Sequence, residues 1–554
     1  MINQRTIADI LLVDPPVHNG GTTWLAPEPL NLGYLASSLM DKGLGAEIIS
    51  AFWRGWDVEQ TVAEILRWRV KVVGITVMSP LVVDEVSQII SRLRSSGVHS
   101  HITLGGNFAS LAPSELLKKM PEVDSIVLGE GEKTVVELVQ LVQQNKEWTK
   151  LDGIAYREGE KIRINRPLNR IVELDTMPPP YRPLISELVA SDIAPSILSS
   201  RGCYGNCCYC SVAAFHKLYP DGPSWRGRSP QHTVDEIEEL YTKYGARRFC
   251  FTDDDFIGPY PEGWERAYRI SEEILSRELP VKFALECRPN HVDFELFNKL
   301  KSAGLSLVLI GIESGCQRML DFFRKKTTVH MNLQALKVLE KLKIPTHIDF
   351  IFLDPYTSLS EVKENLSFLN KFAQVMLFNL IGFLEPRAGT DFTQILFEQE
   401  ELLGSFERYK YHFKDSRVEK LYRVIHESFK LLYYQTGRLT RLYWELEGID
   451  GGSEKLKDYL SLPGTDHSMV EELISRKNMF TIRCAEKAIG FLSTPKEPGL
   501  EAVEEFGKSL EMEIEEFDKG FNYQLAMLQL WVSSLVSKDG KMSFDVWPSP
   551  GIIL

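Results

Sequence analysis

The sequence predicts an α/β chain in three parts: an N-terminal doubly wound parallel sheet, a second series of six β/α units, and a helical C-terminal region. Three observations carry that reading. Short β-branched runs alternate with helix-period segments from residue 10 to about 139. The alternation breaks at a Pro-rich joint and then resumes. Beyond residue 389, strand-like runs give way to charged, aromatic-rich segments of helical period. A length of 554 residues suits three or four domains. With 44% hydrophobic and 25% charged residues, wholesale disorder is excluded.

In the first part the strands fall at residues 10–13, 46–49, 72–77, 101–104 and 125–128, with helices at 32–41, 58–68, 83–93 and 132–142. Strands buried on both faces by flanking helices give a doubly wound sheet, whose ligands sit at the strands' carboxyl ends. Those ends carry Asp14-Pro15-Pro16, Thr76 to Pro80, Gly105-Gly106-Asn107 and Gly129-Glu130-Gly131-Glu132. Glycines there let the backbone approach a bulky ligand closely. Residues 153–164 read as a β-hairpin turning at Glu158-Gly159, followed by the stiff Met177-Pro178-Pro179-Pro180 linker.

The second series has strands at 196–200, 247–251, 281–285, 306–312, 347–352 and 375–383, separated by helical stretches. Six β/α units fit an open sheet or a partial barrel. Polar residues recur just past each strand, on the face where barrels build their chemistry. Residues 400–446 and 501–536 read as helical, with a loop at 462–468 between them. The domain boundaries expected are 1–150, 151–190 for hairpin and linker, 191–392 and 393–554.

Charge and hydropathy exclude several classes. Lys and Arg total 63 against 76 Asp and Glu, a net charge of −13, so no standing grip on nucleic acid is expected. No run of 18 apolar residues occurs, so no membrane span is expected. The first residues run directly into a strand, with no room for a signal peptide, and the expectation is a soluble cytoplasmic protein.

Four of the eight cysteines fall between Cys203 and Cys210. In a reducing compartment such clustering reads as metal binding before disulfides. Cys203, Cys207 and Cys210 are spaced C-x3-C-x2-C in a glycine-containing loop, which can aim three thiolates at one centre. A structural zinc takes four ligands, whereas a [4Fe–4S] cluster held by three cysteines leaves one iron open. Cys208, adjacent to Cys207, is poorly placed to serve as a fourth ligand.

With Tyr209 immediately before the last cysteine, this motif resembles the cluster loop of the radical S-adenosylmethionine (SAM) enzymes. It follows the first strand of the six-unit segment, where that family places it, and Asp253-Asp254-Asp255 and Gly311-Ile312-Glu313-Ser314-Gly315 follow later strands. The N-terminal pattern, with Leu32-Gly33-Tyr34-Leu35-Ala36, Leu104-Gly105-Gly106 and Leu128-Gly129-Glu130-Gly131-Glu132, is similar to the cobalamin-binding domain of the subgroup that carries one. The resemblance spans roughly residues 8–392.

It implies a partial (β/α)6 radical SAM barrel after a cobalamin-binding-like sheet, with a [4Fe–4S] cluster on Cys203, Cys207 and Cys210. SAM would chelate the open iron and be cleaved reductively to a 5′-deoxyadenosyl radical. Tyr209 would contact the adenine, Asp253 and Asp255 the methionine amino group, and Glu286, Arg288 and Glu313 the ribose and carboxylate. Thr76, Ser79, Gly105, Gly106, Gly129, Glu130, Gly131 and Glu132 would line a cobalamin site. Asp354 is a further candidate contact for SAM or substrate. Arg226 and Arg228 read equally as an anion clamp or as surface charge. His18 and Gly21 keep half of the D-x-H-x-x-G pattern that places histidine under cobalt, but Pro16 stands at the aspartate position, so His18 reads as an ordinary loop residue.

The resemblance therefore implies a cobalamin-dependent methyltransferase acting on a small molecule, served by an electron donor such as flavodoxin or ferredoxin. The alternative is hydrogen-abstraction chemistry without methyl transfer: deoxygenation, epimerisation, cyclisation or ring contraction. Replacing Cys203, Cys207 or Cys210 by Ala should each abolish the visible absorbance of a thiolate-bound iron–sulfur centre, while Cys208→Ala should keep it. An intact band without Cys210 overturns the ligand set.

Overall fold

Strand β1 (Ile10–Asp14) sets the logic of the first sheet. Its successive side chains point to opposite faces, and both faces are apolar. Ile10 and Leu12 join Leu32, Ala36, Leu39 and Val135 in one core, while Leu11 and Val13 join Val62, Ile65, Val86 and Ile89 in another. Helices α1 (Leu30–Asp41) and α4 (Glu132–Gln143) cover the first face; α2 (Val58–Ile65) and α3 (Val83–Ser95) cover the second. A capping box between Asp57 and Gln60 starts α2.

The structure, a computed structural model, describes residues 6–17, 28–168, 170–191, 193–372, 376–377, 382–432, 439 and 468–536. With β2 (Ala46–Ser50), β3 (Val72–Thr76), β4 (His101–Gly105), β5 (Ser125–Val127), β6 (Ile154–Glu158) and β7 (Lys161–Asn165), the sheet order is β2-β1-β3-β4-β5-β6-β7. The first five strands run parallel, and the chain reverses direction across the sheet between β1 and β3, the switch point where such sheets bind ligands. The hairpin β6–β7, expected within the joint, instead pairs antiparallel with β5 and extends this sheet. Ile154 and Ala155 are fully buried, which draws it in.

The second sheet is all parallel and adds each strand beside the last: β8 (Ser196–Ile197), β9 (Arg248–Phe251), β10 (Lys282–Cys287), β11 (Leu305–Glu313), β12 (Thr346–Phe350) and β13 (Met376–Leu377). This is the partial barrel of the radical SAM fold. Phe283, Leu285, Cys287, Val308, Ile310, Ile312, Ile348 and Phe350 share the apolar core that helices cover. By strand alternation Glu286, Gly311, Glu313, His347 and Asp349 belong to the opposite, inner face.

Two further expectations change. Strand 196–200 stops at Ile197 because the Ser199 and Ser200 hydroxyls donate to Asp253, and Ser200–Gly202 pairs antiparallel with Trp225–Gly227. Within 400–446, read as helical, Leu403–Ser405 and Arg408–Lys410 form a hairpin. The hairpin needs glycine at 404, which takes φ 82° and where a Cβ would stand 2.4 Å from Arg408 O, and Phe406 stacks on Phe108 of the first domain with ring centres 6.0 Å apart. The strand read at 375–383 is described only at 376–377 and 382–383, and His18 and the loop 462–467 lie outside the described residues. Helices α5 (Ser416–Ser428), α6 (Ser468–Leu492) and α7 (Leu500–Val536) make up the C-terminal part. No helix among the described residues is long and apolar enough to cross a membrane.

Burial at the end of β1 pushes the Asp14 carboxyl up to about 6, against an opposing hydrogen bond from Ser50 Oγ at 2.7 Å. A raised acid loses stability for the fold as pH climbs from about 4 through 6. Asp14→Asn should therefore stabilise the cofactor-free chain by roughly 1–3 kcal/mol near pH 8, with the gain gone below about pH 4. Thermal unfolding at the two pH values checks this; an unchanged midpoint near pH 8 counts against burial as the cause.

Candidate active site

The carboxyl ends of β1, β3, β4 and β5 open into a cavity of about 710 Å³ whose far wall is built by loops of the barrel. Thr76, Ser79, Gly105, Gly106 and residues Gly129, Glu130, Gly131 and Glu132 all line it, as does Asp14. From the barrel come Leu198, Arg201, Gly202, Phe215, His216 and Asp254. Leu12, Leu35, Leu104 and Val127 make much of the wall apolar, as a large organic cofactor needs. A Cβ on Gly105 would meet only Val127 O, at 3.9 Å. Gly106, at φ 102°, would bring one within 2.9 Å of Val77 O and 3.0 Å of Met78 Sδ. Glycine is needed at 106 on both counts. Asn31 donates to Thr76 Oγ1 at 3.3 Å, and Ser79 Oγ accepts from Leu81 N, so both hydroxyls are held at the rim.

Two carboxylates of this rim are bound by arginines of the barrel. Arg226 meets Glu130 through both guanidinium nitrogens, at 2.6 and 3.1 Å. Arg201 meets Glu132 at 2.5 Å and lies 3.6 Å from Glu130. All four side chains are at least 87% buried. Burial pushes the Glu130 carboxyl up, but Arg226 and Arg201 outweigh it and hold the group below the usual range. Arg226 is thus an interdomain anchor. Arg228 binds Glu236, which Arg182 also holds at 2.5 Å while reaching Glu28 at 2.5 Å. Neither Arg226 nor Arg228 is surface charge.

Just beyond Arg201 comes the cysteine loop. Gly205 N donates to Cys203 Sγ at 3.3 Å, Arg288 Nη1 lies 3.8 Å from Cys207 Sγ, and Cys210 N donates to Cys207 O at 3.2 Å. Burial, then the Asp255 carboxylate, pushes the Cys203 thiol up to about 12. A cationic group set among these sulfurs would lower the thiols again, as thiolate ligands require, although among the described residues no three such side chains already converge on one metal ion. Cys208 turns away: its Sγ donates to Phe322 O at 3.3 Å, and it packs in the barrel core.

The three aspartates after β9 divide their duties. Asp253 is buried and accepts from Ser199 Oγ at 3.0 Å and Ser200 Oγ at 2.5 Å. Asp255 is fully buried, with Oδ1 3.2 Å from His291 Nδ1 and Oδ2 3.8 Å from Cys203 Sγ. Only Asp254 lines the cavity, where it is exposed to solvent; the crowded wall around it, then Asp253 beside it, pushes its carboxyl up.

Glu286 sits on the inner face of β10, its carboxyl pushed well up by burial and by Asp349, Asp254 and Glu313 nearby. Glu313, at φ 61°, pairs with the buried Lys325 at 2.7 Å. Gly311 leaves room for that pair, since a Cβ there would stand 2.6 Å from the Glu313 carboxylate and 2.7 Å from Lys325 Nζ. Tyr209 is held edge-on to Phe323, ring centres 5.5 Å apart; burial and the Glu313 carboxylate push its phenol well up. Arg288 is buried against the cysteine loop and donates to Lys325 O.

Asp354, expected as a ligand contact, instead has its carboxylate bound by Arg318 at 2.7 Å and by Tyr356 N at 2.8 Å, while its own N–H donates to Thr357 Oγ1 at 2.8 Å. Residues that the sequence does not single out are Asp349, Lys325 and His216. Asp349 has a weak signal, a charged side chain inside the apolar strand Thr346–Phe350. Burial, then Glu313, pushes it up to about 7. His216 lines the cavity with no partner for Nε2 among the described residues; burial, then Arg170, pushes its imidazole down to about 4.

Fold and site define an α/β chain with a large, mostly apolar cavity between a sheet's carboxyl edge and the barrel segment that leads into the cysteine loop. Residues 197–369 match the family model of the Radical SAM superfamily, and residues 22–139 that of the B12 binding domain. An uncharacterised methyltransferase of Pyrococcus horikoshii is 27% identical over 77% of this chain and 93% of its own length. An anaerobic magnesium-protoporphyrin IX monomethyl ester cyclase of Cereibacter sphaeroides is 28% identical over 64% of this chain and 58% of its own. Among solved structures, the cobalamin-dependent SAM radical enzyme OxsB with aqua-cobalamin and SAM bound superposes with a TM-score of 0.70 at 20% identity, over 96% of this chain and 80% of that one. The chain belongs to the radical SAM enzymes that carry a cobalamin-binding domain.

The rim pairs yield a direct test. Glu130→Ala leaves Arg226 buried without its partner and should cost about 3–5 kcal/mol. A drop in thermal midpoint checks this; a loss below about 1 kcal/mol would place the pair among weak surface bridges.

Proposed function

We propose that this chain is a cobalamin-dependent radical SAM methyltransferase acting on an unactivated carbon of a small molecule. One observation carries it: the glycine-lined carboxyl edge of the first sheet and the loops around the cysteines share a single cavity. A corrin on that edge would stand directly before the barrel mouth. The methyltransferase name of the Pyrococcus relative and the two ligands in the OxsB structure support the reading.

When bound, the iron–sulfur cluster supplies the electron that cleaves SAM, and cobalamin supplies the carrier for the methyl group. The chain's own residues do the rest. Cys203, Cys207 and Cys210 hold the cluster, with Arg288 alongside as counter-charge. Asp254, Glu286 and Glu313 face the methionine and ribose of SAM, with Lys325 fixing Glu313 and Tyr209 beside the adenine. Asp253 and Asp255 support the same loop from behind. On the sheet side Gly105, Gly106, Gly129 and Gly131 give the corrin access to the backbone, and Thr76 and Ser79 offer hydroxyls. Glu130 and Glu132 act chiefly through their arginines. The apolar wall excludes water from the radical. The electron comes from a flavodoxin or ferredoxin.

A second reading has its own support, the comparable identity to a cyclase. The two differ in products. The protein is reconstituted anaerobically with iron, sulfide and hydroxocobalamin, desalted, reduced and given SAM. Methyl transfer requires about one cobalt per chain, methylcobalamin by its absorbance, and S-adenosylhomocysteine beside 5′-deoxyadenosine. Cleavage to 5′-deoxyadenosine with no S-adenosylhomocysteine favours the cyclase type of reaction, and no cleavage overturns both.

A further inference from the structure

The helix Glu262–Ser276, which follows β9 and the aspartate loop, turns Gly263, Arg266, Ala267, Ile270, Ser271 and Ile274 toward the core. That is the inward stripe of an amphipathic helix, and an arginine stands in it. Burying a charge is costly unless polar partners replace the lost water. Arg269, on the outer side, pairs with Glu265 at the surface. Arg266 is only 9% exposed, and its three hydrogen bonds all end on main-chain oxygens. Nε donates to Arg228 O at 2.7 Å, Nη1 to Phe256 O at 3.1 Å and Nη2 to Ser199 O at 2.5 Å. Burial pulls the guanidinium down to about 10, with Asp253 opposing, so it stays charged at neutral pH.

Each of those carbonyls belongs to a segment of the site. Ser199 lies four residues before Cys203, and Phe256 follows Asp255 directly. Arg228 lies two residues beyond Arg226, whose side chain anchors Glu130. Ser200–Gly202 pairs with Trp225–Gly227, and Trp225 Nε1 donates to Asp255 O at 2.8 Å, so the three segments already touch one another. The Arg266 guanidinium carbon lies 5.6 Å from the centre of the Trp225 ring and 5.7 Å from that of Phe256. Gly227 makes this approach possible, since a Cβ there would stand 2.5 Å from Arg266 Nε. A planar fork of N–H groups can serve three carbonyls in different directions, whereas lysine presents its donors from a single point.

Resting on the radical SAM reading, we propose that Arg266 is a positioning residue for SAM: by tying Ser199 O, Phe256 O and Arg228 O to one rigid group, it fixes the aspartate loop against the approach to Cys203. It acts through the main chain of those loops. Burial pushes the Asp253 carboxyl up, and Arg266 is the cation that opposes this while the Ser199 and Ser200 hydroxyls donate to the same carboxylate. With Asp253 held inward, Asp254 is the member of the loop that faces the cavity. The adenine end rests on other parts: Tyr209 is held by Phe323, outside the reach of these bonds. The effect of Arg266 therefore falls on the methionine end of SAM, where small displacements of a binding group are felt most.

The test measures binding rather than turnover. Full-length protein is reconstituted anaerobically with iron and sulfide, and SAM is titrated calorimetrically into the oxidised form, where no cleavage occurs. 5′-Methylthioadenosine, which has adenine, ribose and sulfur but no amino-acid end, is the comparison ligand. Arg266→Met should keep its iron and its visible band, bind SAM about tenfold or more weakly, and bind 5′-methylthioadenosine within about twofold of wild type. Arg266→Lys, which keeps the charge without the fork, should bind SAM within about threefold of Arg266→Met. SAM binding at wild-type strength in either variant overturns the proposal. So does an equal loss for both ligands, because a general loosening of the barrel spares neither. Should Arg266→Met lose its cluster, Gly227→Ala, which keeps the arginine but crowds Nε, decides by the same comparison. Wild-type protein that holds its cluster and binds no SAM overturns the radical SAM reading itself, and the positioning role with it.

Discussion

The reactive side of this molecule depends on two carboxylates in the loop after β5. Glu130 and Glu132 reach across the seam to Arg226 and Arg201, and Arg201 stands two residues before Cys203. The loop that closes one edge of the cavity therefore also fixes the approach to the cysteines. Buried ion pairs contribute little net stability, because desolvation opposes their attraction, yet they penalise every arrangement that separates them. That asymmetry suits a seam between two domains. The Glu28–Arg182–Glu236–Arg228 series repeats the device, and Arg182 also donates to Ser196 O at the first barrel strand. Charge in these two places sets the distance between sheet edge and barrel mouth, which cofactors held on opposite sides must bridge.

Much of this was legible in the sequence because it follows from periodicity and spacing. The two-faced strand Ile10–Asp14 and the glycine turns placed the sheet and its ligand edge. The cysteine spacing marked the loop as a candidate metal site, and the neighbouring thiols already set Cys208 apart, which the structure turns toward Phe322 O. What was not legible depends on contacts between distant segments. Three consecutive aspartates look alike in sequence; Ser199 and Ser200 decide that Asp253 turns inward and Asp254 faces the cavity. Asp354 has the composition of a ligand and the surroundings of a structural anchor, because Arg318 arrives from 36 residues away. Lys325 sits in an Arg-Lys-Lys run that reads as solvated, yet it is the buried member. Its burial is caused by Glu313 and by the absence of a side chain at Gly311, neither of which a local pattern encodes. Hairpin 403–410 was hidden in the same way, its stability coming from Phe108 and Lys119 of another domain.

The barrel mouth shows how charge and chemistry meet. Asp254, Glu286, Glu313 and Asp349 converge there with Lys325 as the partner cation, and desolvation first, then the neighbouring carboxylates, makes Asp254, Glu286 and Asp349 hold their protons to unusually high pH. Such surplus negative charge opposes folding and is retained only where something offsets it. Lys325 offsets part of it, and protons the rest. One layer of chain, the segment 323–326, bounds this charge: it turns Arg324 and Lys326 outward and Lys325 inward to Glu313.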